Sequence, residues 1–367
     1  MTPTVEIHRS TLARALATAD RVARWGTADP PWGWLLWGAH GLALRAIEPR
    51  GELLCRIAPT RLEGVASLRL DLGLLRQALP PGETAVLRLV SEGRLEVAHP
   101  GGRAWVPALP ESDPPELEGG GDPPEESQAT AGQALAAAVE RLHHCLAPRG
   151  DFRTSLQGFR LAPADGGLSL WATDGHRAGR ARTWSRVEGL DDPITVDGEG
   201  LREALGSGEL RRVRVCAGRL EVEAADGGVL SLWRLVALAE AYPDLSRVWP
   251  EDPLEITVEG PALLEAAQYL AALSRRADGA AVRCELEGER LRLTLAPGPD
   301  VLAELCVPAD APAQEPAPRW AWDPRYFLEA VRAAQPGPVG LGYRSAAEPV
   351  AVSGPEHQEI VMPLRLD

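Results

Sequence analysis

The 367-residue chain contains no lysine and no asparagine, so all 38 of its basic side chains are arginine. Isoleucine, phenylalanine and tyrosine are sparse as well. These residues share A/T-rich codons, so a very GC-rich genome is the simple explanation, with deliberate lysine removal as the alternative. Cysteine occurs five times, scattered and never as C-x-x-C. That pattern argues against a disulfide framework and a structural zinc site, and predicts small buried hydrophobes. No run approaches the ~20 consecutive apolar residues that span a membrane. The segment Met1–Ser10 is charged and lacks the apolar centre of a signal peptide, so a cytosolic location is expected. There is no P-loop, no G-x-G-x-x-G, no G-x-S-x-G and no H-E-x-x-H. No catalytic residue, cofactor or metal is therefore expected. His143 and His144 adjoin Cys145, but consecutive helical residues point in different directions and do not readily share an ion. The net charge of −14 argues against a simple nucleic-acid-binding module, though it leaves room for local basic faces.

What the chain does contain is a repeat. Three segments, Asp71-LGLLRQAL, Asp197-GEGLREAL and Asp323-PRYFLEAV, recur with a period near 126 residues. Each aspartate is placed to cap a helix, its carboxylate accepting from first-turn N–H groups. Behind the caps the apolar positions coincide: Leu75, Leu201 and Phe327, then Ala78, Ala204 and Ala330, then Leu79, Leu205 and Val331. Offsets of four, seven and eight define one buried face. A second helix precedes each of these by about sixty residues, at 9–24, 131–147 and 261–276. Its inward positions are Leu12, Leu16, Ala19 and Ala23 in the first, Leu135, Val139, Leu142 and Leu146 in the second, and Leu263, Ala267 and Leu270 in the third.

Between the helices lie β-rich runs: Leu87–Val90, Arg94–Val97, Val213–Cys216, Arg219–Glu223, Val282–Leu286 and Arg290–Leu295. The string Gly-Arg-Leu-Glu-Val occurs at 93–97 and again at 218–222. The expected fold class is α+β, with three repeated domains, each two helices packed on antiparallel sheet, at 1–125, 126–252 and 253–367. The Pro-, Gly- and acid-rich stretch 107–130 reads as a solvated connector, the run near Pro250–Pro253 as the second boundary, and 308–318 as a link inside the third repeat.

Three further segments carry specific information: Ala172-Thr-Asp-Gly-His-Arg177 after a strand-like Leu168–Trp171, Ala241-Tyr-Pro-Asp-Leu-Ser-Arg-Val-Trp-Pro250, and the terminal Ile360-Val-Met-Pro-Leu-Arg-Leu-Asp367. Taken alone, the Asp-Gly turn reads as local hydrogen bonding. In order and spacing, however, the three resemble the bacterial DNA polymerase III beta subunits, the replicative sliding clamps. Those proteins carry a T-D-G-H-R turn in the middle domain, an F-P-D-x-x-R-V segment closing it, and a C-terminal V-M-P-x-R-L. With the repeat, the resemblance covers the whole chain.

The resemblance implies a head-to-tail homodimeric ring of six similar domains, with helices lining a central hole. It implies a non-catalytic processivity factor that encircles duplex DNA without reading its sequence. Its partners would be the DNA polymerase III alpha subunit, clamp-loader subunits and other clamp-motif proteins. They would bind a hydrophobic groove walled by Leu156, Thr173, Gly175, His176, Arg177, Pro243, Arg247, Val248, Val361, Met362, Pro363, Leu364 and Arg365. Candidate DNA contacts are Arg14, Arg21, Arg24, Arg76, Arg141, Arg149, Arg153, Arg202 and Arg276, set opposite apolar helical faces. Ring closure would bring the region of Trp105 and Val106 against that of Leu273. The chain departs from the family where many relatives carry paired basic residues and it has Asp197-Gly-Glu-Gly200. It departs again at Thr154 and Ser155, where tyrosines are common, and in the tryptophan-rich Trp25–Trp37. A less positive lining follows. The alternative is therefore a specialised paralogue, a peptide-binding scaffold with weakened DNA encirclement. An enzyme reading has no site to rest on.

Overall fold

The computed structural model of the chain describes residues 2–25, 32–39, 41–91, 93–110, 126–312 and 317–365. The expected connector at 107–130, the middle of Trp25–Trp37, the run at 308–318 and the terminal Asp367 lie wholly or partly outside the described residues. Among these residues are six α-helices: α1 (Arg9–Ala23), α2 (Leu72–Gln77), α3 (Glu126–Leu142), α4 (Gly198–Leu205), α5 (Gly260–Ser274) and α6 (Pro324–Ala333). The three repeated aspartates cap α2, α4 and α6. Asp71 Oδ1 accepts from the Leu74 N–H at 2.9 Å, Asp197 Oδ1 from Gly200 at 2.9 Å, and Asp323 Oδ1 from Arg325 at 2.8 Å. Each satisfies a donor that the first helical turn leaves without a partner. Leu75, Leu201 and Phe327 are completely buried behind them, as are Ala204, Ala330 and Val331.

The longer helices bury the expected faces: Leu12, Leu16, Ala19 and Ala23 of α1, Leu135, Val139 and Leu142 of α3, and Leu263, Ala267 and Leu270 of α5. The helix expected over 131–147 ends sooner. After Leu142 the chain makes a 3-10 turn, His143–Cys145, and Leu146 is extended and half-buried. Pro148 accounts for the loss of helix at Ala147, which it holds away from the helical conformation, and the Ala147 N–H bonds instead to the Leu156 carbonyl at 2.9 Å. No helix among the described residues is long and apolar enough to cross a membrane.

The chain groups into two compact units, Met1–Ala136 with Ser185–Leu238, and Ala137–Trp184 with Ala239–Asp367. In the first, a twelve-stranded antiparallel sheet runs Glu209–Cys216, Arg219–Asp226, Val229–Val236, Gly51–Ile57, Gly41–Glu48, Trp32–Gly38, Ala66–Asp71, Gly102–Pro110, Arg94–His99, Thr84–Ser91, Thr4–His8, Arg61–Glu63. The join between its third and fourth strands pairs Val229 with Ile57 and Leu235 with Gly51. One face of that join is apolar, built on the fully buried Trp233, whose Nε1 donates to Ser207 Oγ at 3.0 Å. The other carries a cross-strand ladder of alternating charge: Arg214 to Glu221 at 2.7 Å, Glu221 to Arg234 at 2.9 Å, Arg234 to Glu52 at 3.5 Å and Glu52 to Arg45 at 2.9 Å.

The second unit has its own antiparallel sheet, running Gly158–Ala164, Gly167–Thr173, Arg177–Thr183, His357–Val361, Val350–Gly354, Val339–Tyr343, Leu254–Val258, Ala303–Asp310, Arg290–Pro297, Ala280–Glu287, Arg319–Trp322. Helices α5 and α6 cover a core that includes Trp320, Trp322, Phe327, Leu263 and Leu270. The join in this unit sets Arg177 opposite Val361 and Ala181 opposite His357. It lays the start of one motif directly beside the end of another.

Candidate peptide-binding groove

The Thr173–Arg177 turn is closed by its own side chains. Thr173 Oγ1 donates to the Arg177 carbonyl at 2.6 Å and accepts from the Gly175 N–H at 3.1 Å. Asp174 Oδ1 accepts from the N–H groups of His176 at 2.8 Å and Arg177 at 3.0 Å. Gly175 has φ +91°, and a Cβ there would lie 2.7 Å from Arg153 Nη1, so the position requires glycine. The Arg177 side chain turns inward. Its Nε donates to Asp174 Oδ2 at 3.1 Å, Nη1 to Glu329 Oε2 at 2.5 Å and Nη2 to the His144 carbonyl, and its guanidinium sits 4.4 Å from the Tyr326 ring centre. His176, by contrast, is exposed and stacks on Tyr326 with centres 6.4 Å apart.

Around this turn the neighbouring loops are pinned by carboxylates. Asp151 accepts from Arg153 through its backbone N–H at 2.8 Å, Nε at 3.0 Å and Nη2 at 2.9 Å. These bonds hold the Asp151 carboxyl down at about 2. Arg153 Nη2 also donates to the Asp174 carbonyl at 3.3 Å. Glu240 accepts from the Ser155 N–H and the Thr154 hydroxyl, both at 2.8 Å, which lowers its carboxyl below the ordinary range. Asp244 caps the 3-10 turn Leu245–Val248, accepting from the Ser246 N–H at 3.2 Å and Oγ at 2.6 Å. Beyond Val361 the chain leaves the sheet, with the Met362 N–H bonded to the His176 carbonyl at 2.9 Å and the Leu364 N–H to that of Ala321 at 2.7 Å.

These segments enclose a groove of about 400 Å³. Of the expected wall, Leu156, Thr173, Gly175, His176, Arg177, Pro243, Val248 and Met362 line it. Val361 is wholly buried in the core beneath. Arg247, Pro363, Leu364 and Arg365 are outside the lining; Arg247 is exposed and paired with Asp244 at 3.1 Å. Sequence reasoning missed Ser155, Ala178, Glu240, Ala241, Leu245 and Ile360, and placed Arg153 on the DNA list although it lines the groove. Ile360 was discoverable, since it alternates with Val361 along the last strand. Nothing in the local pattern singles out Glu240.

A polar cluster lies in the same unit. His144 Nε2 is 2.8 Å and His357 Nε2 3.2 Å from Glu359 Oε2. Burial alone would raise the Glu359 carboxyl, but the bonds from the two histidines bring it down to about 2.

The candidate DNA-contact arginines are dispersed. Arg14, Arg21 and Arg76 come together along one groove of about 300 Å³ in the first unit. Arg14 is paired with Asp226 at 2.7 Å, and Asp20 takes Arg24 at 3.0 Å and Arg76 at 3.7 Å. Arg202 is exposed on α4. In the second unit Arg141 is paired with Glu356 at 2.5 Å, Arg149 is exposed, and Arg276 is exposed just past α5. For the expected dimer contact, Trp105 is 45% exposed, Val106 is fully buried in its own chain, and Leu273 packs half-buried against the core.

No family model and no curated protein matches the sequence. Solved structures do match the fold. The beta sliding clamp of C. crescentus superimposes with a TM-score of 0.83 at 19% identity, over 100% of this chain and 99% of that one. The DNA polymerase III beta subunit of Thermotoga maritima gives 0.81 at 17% identity, covering 100% of both chains. The DNA polymerase III subunit beta of Pseudomonas aeruginosa gives 0.81 at 21%, over 99% of this chain and 100% of that one. From first described strand to last, the chain has the fold of the bacterial sliding clamps.

Proposed function

We propose that the protein is a DNA polymerase III beta-type sliding clamp, a non-catalytic ring that encircles duplex DNA and holds a polymerase to it. The observation that carries this reading is the convergence of three distant motifs on one groove within a full-length clamp fold. Exposed Val248 and Met362 offer apolar anchorage, while His176, Arg153 and the backbone supply polar fixation. Met362 is adaptable enough to serve several partners: the alpha subunit of DNA polymerase III, clamp-loader subunits and other clamp-motif proteins. Three domains of about 120 residues, two chains head to tail, and closure through Trp105 and the Leu273 region complete the proposal, in the cytoplasm. Processivity then arises from topology and effective concentration rather than from tight DNA affinity.

One observation favours a second reading, a peptide-binding scaffold with weakened encirclement. Arg14, Arg24, Arg76 and Arg141 all face carboxylates, which cancels positive charge that phosphates would otherwise meet. One pair of assays separates the two. A clamp binds a clamp-motif peptide and stimulates polymerase on primed circular DNA when a loader is present. A scaffold binds the peptide equally and leaves extension unchanged. Failure to bind the peptide rejects both.

A further inference from the structure

We propose that His144, His357 and Glu359 form a binding site for a divalent transition-metal ion of the zinc class. The three side chains offer one ligand atom each, all within 4.8 Å of one another. Tetrahedral zinc holds nitrogen and oxygen at about 2.0–2.2 Å, which puts neighbouring ligand atoms ~3.3–3.5 Å apart. The His144 contact to Glu359 Oε2, 2.8 Å, has to open by roughly half an ångström and the His357 contact, 3.2 Å, by about 0.2 Å to reach that spacing. Two imidazoles and one carboxylate are a ligand set that zinc-class ions accept with a fourth position left for water.

The placement is built by the fold rather than by sequence proximity. His357 and Glu359 are two apart on one strand and so share a face. His144 comes from the 3-10 turn His143–Cys145, fixed from the other side by the Arg177 bond to its carbonyl. Glu359 is wholly buried and its Oε1 has no hydrogen-bond partner, a deficit that a cation held by both carboxylate oxygens would relieve. His357 Nδ1, also buried without a partner, carries the ring proton once Nε2 is coordinated. The His144 side chain is 17% exposed, which gives an ion its way in. An ion held here ties the last strand to the turn that Arg177 grips, and so stiffens the floor on which Ile360 and Met362 stand. The assignment does not depend on the protein being a clamp.

The test uses full-length protein without a polyhistidine tag, stripped with chelator and titrated with cobalt(II) and then zinc(II). The expected result is one ion per chain, a tetrahedral cobalt spectrum, displacement by zinc, and a higher Tm for the loaded protein. Glu359→Gln and His144→Gln weaken binding by more than ~10-fold, since even outer-shell changes cost that much. His144→Gln is partly exposed and spares the core, so it serves if the buried variant does not fold. The Cys145 thiol lies 3.5 Å from His144 Nε2, so Cys145→Ser is the control and retains binding. Absence of stoichiometric binding overturns the proposal. So does affinity unchanged in both ligand variants, or lost in Cys145→Ser.

Discussion

Arg177 and His176 leave the same turn, but Arg177 points inward to Asp174, Glu329 and the His144 carbonyl while His176 stays in solvent over Tyr326. Removing one member of a buried ion pair strands the other, at a cost of roughly 3–5 kcal/mol. Arg177→Met is expected to lose about that much in urea denaturation. His176→Ala is expected to stay within ~0.5 kcal/mol of the parent, as surface changes do, while weakening clamp-peptide binding. If Arg177→Met costs less than ~1 kcal/mol, the inward network is not what holds the turn. Asp151 makes a pH prediction. Its folded carboxyl is depressed from an ordinary 3.8 to about 2 by Arg153. A depressed carboxyl contributes stability above its ordinary value and loses it as pH falls through the folded one. Side-chain carbon NMR should therefore place the Asp151 midpoint near 2, and an Arg153→Ala variant should return it toward 3.8. The roles of these two residues were not legible in the sequence. Histidine and arginine side by side suggest two outward donors, and only the positions of Glu329 and Tyr326, some 150 residues later, decide which one turns in.

The helix caps were legible because capping is local. A carboxylate followed by an apolar repeat at offsets four, seven and eight needs no tertiary information, and all three aspartates cap as read. They should not be equal in energy. Asp71→Ala is expected to cost about 1 kcal/mol, the ordinary loss of a cap. Asp197 is buried and also accepts from Arg50 Nη1 at 2.6 Å. Its removal loses a cap and a charge-assisted bond together, so about 2–4 kcal/mol is expected by the same denaturation assay. Equal costs at the two positions would show that the Arg50 pairing adds nothing. The strand Arg177–Thr183, RAGRART, illustrates what local pattern hides. Its small residues contradict strand propensity, yet a Cβ at Gly179 would lie 2.6 Å from Leu142 and 3.0 Å from Cys145. Close packing against α3 and its following turn dictates those residues, and no periodicity announces it.

For the whole chain, the constant spacing of three caps carried the fold class, because a repeat reports architecture even where single elements are ambiguous. What it could not carry is how strands of different repeats share a sheet. The pairing of Val229–Val236 with Gly51–Ile57, and of Arg177–Thr183 with His357–Val361, depends on backbone edges, which have no side-chain code. Val106 illustrates the same gap: named for a dimer contact, it is buried at home, leaving Trp105 to meet a partner. Trp105 stands on a strand whose residues 102–107 pair with Arg94–His99. Under the proposed ring, Trp105→Glu should yield a monomer across a dilution series by light scattering, with unchanged peptide binding. A variant that remains dimeric at low concentration would move the closure elsewhere.

The join between Val229–Val236 and Gly51–Ile57 also matters during synthesis. Once the first 110 residues have left the ribosome, Gly51–Ile57 can pair with Gly41–Glu48, but its other edge has no partner until residue 229 emerges. At translation rates of roughly 5–20 residues per second, that wait is about 6–24 s. Throughout it the unpaired backbone edge of Gly51–Ile57 is open to the identical edge of the next nascent chain on the same message. Slow codons placed between these segments would lengthen the exposure and should lower the soluble yield in proportion.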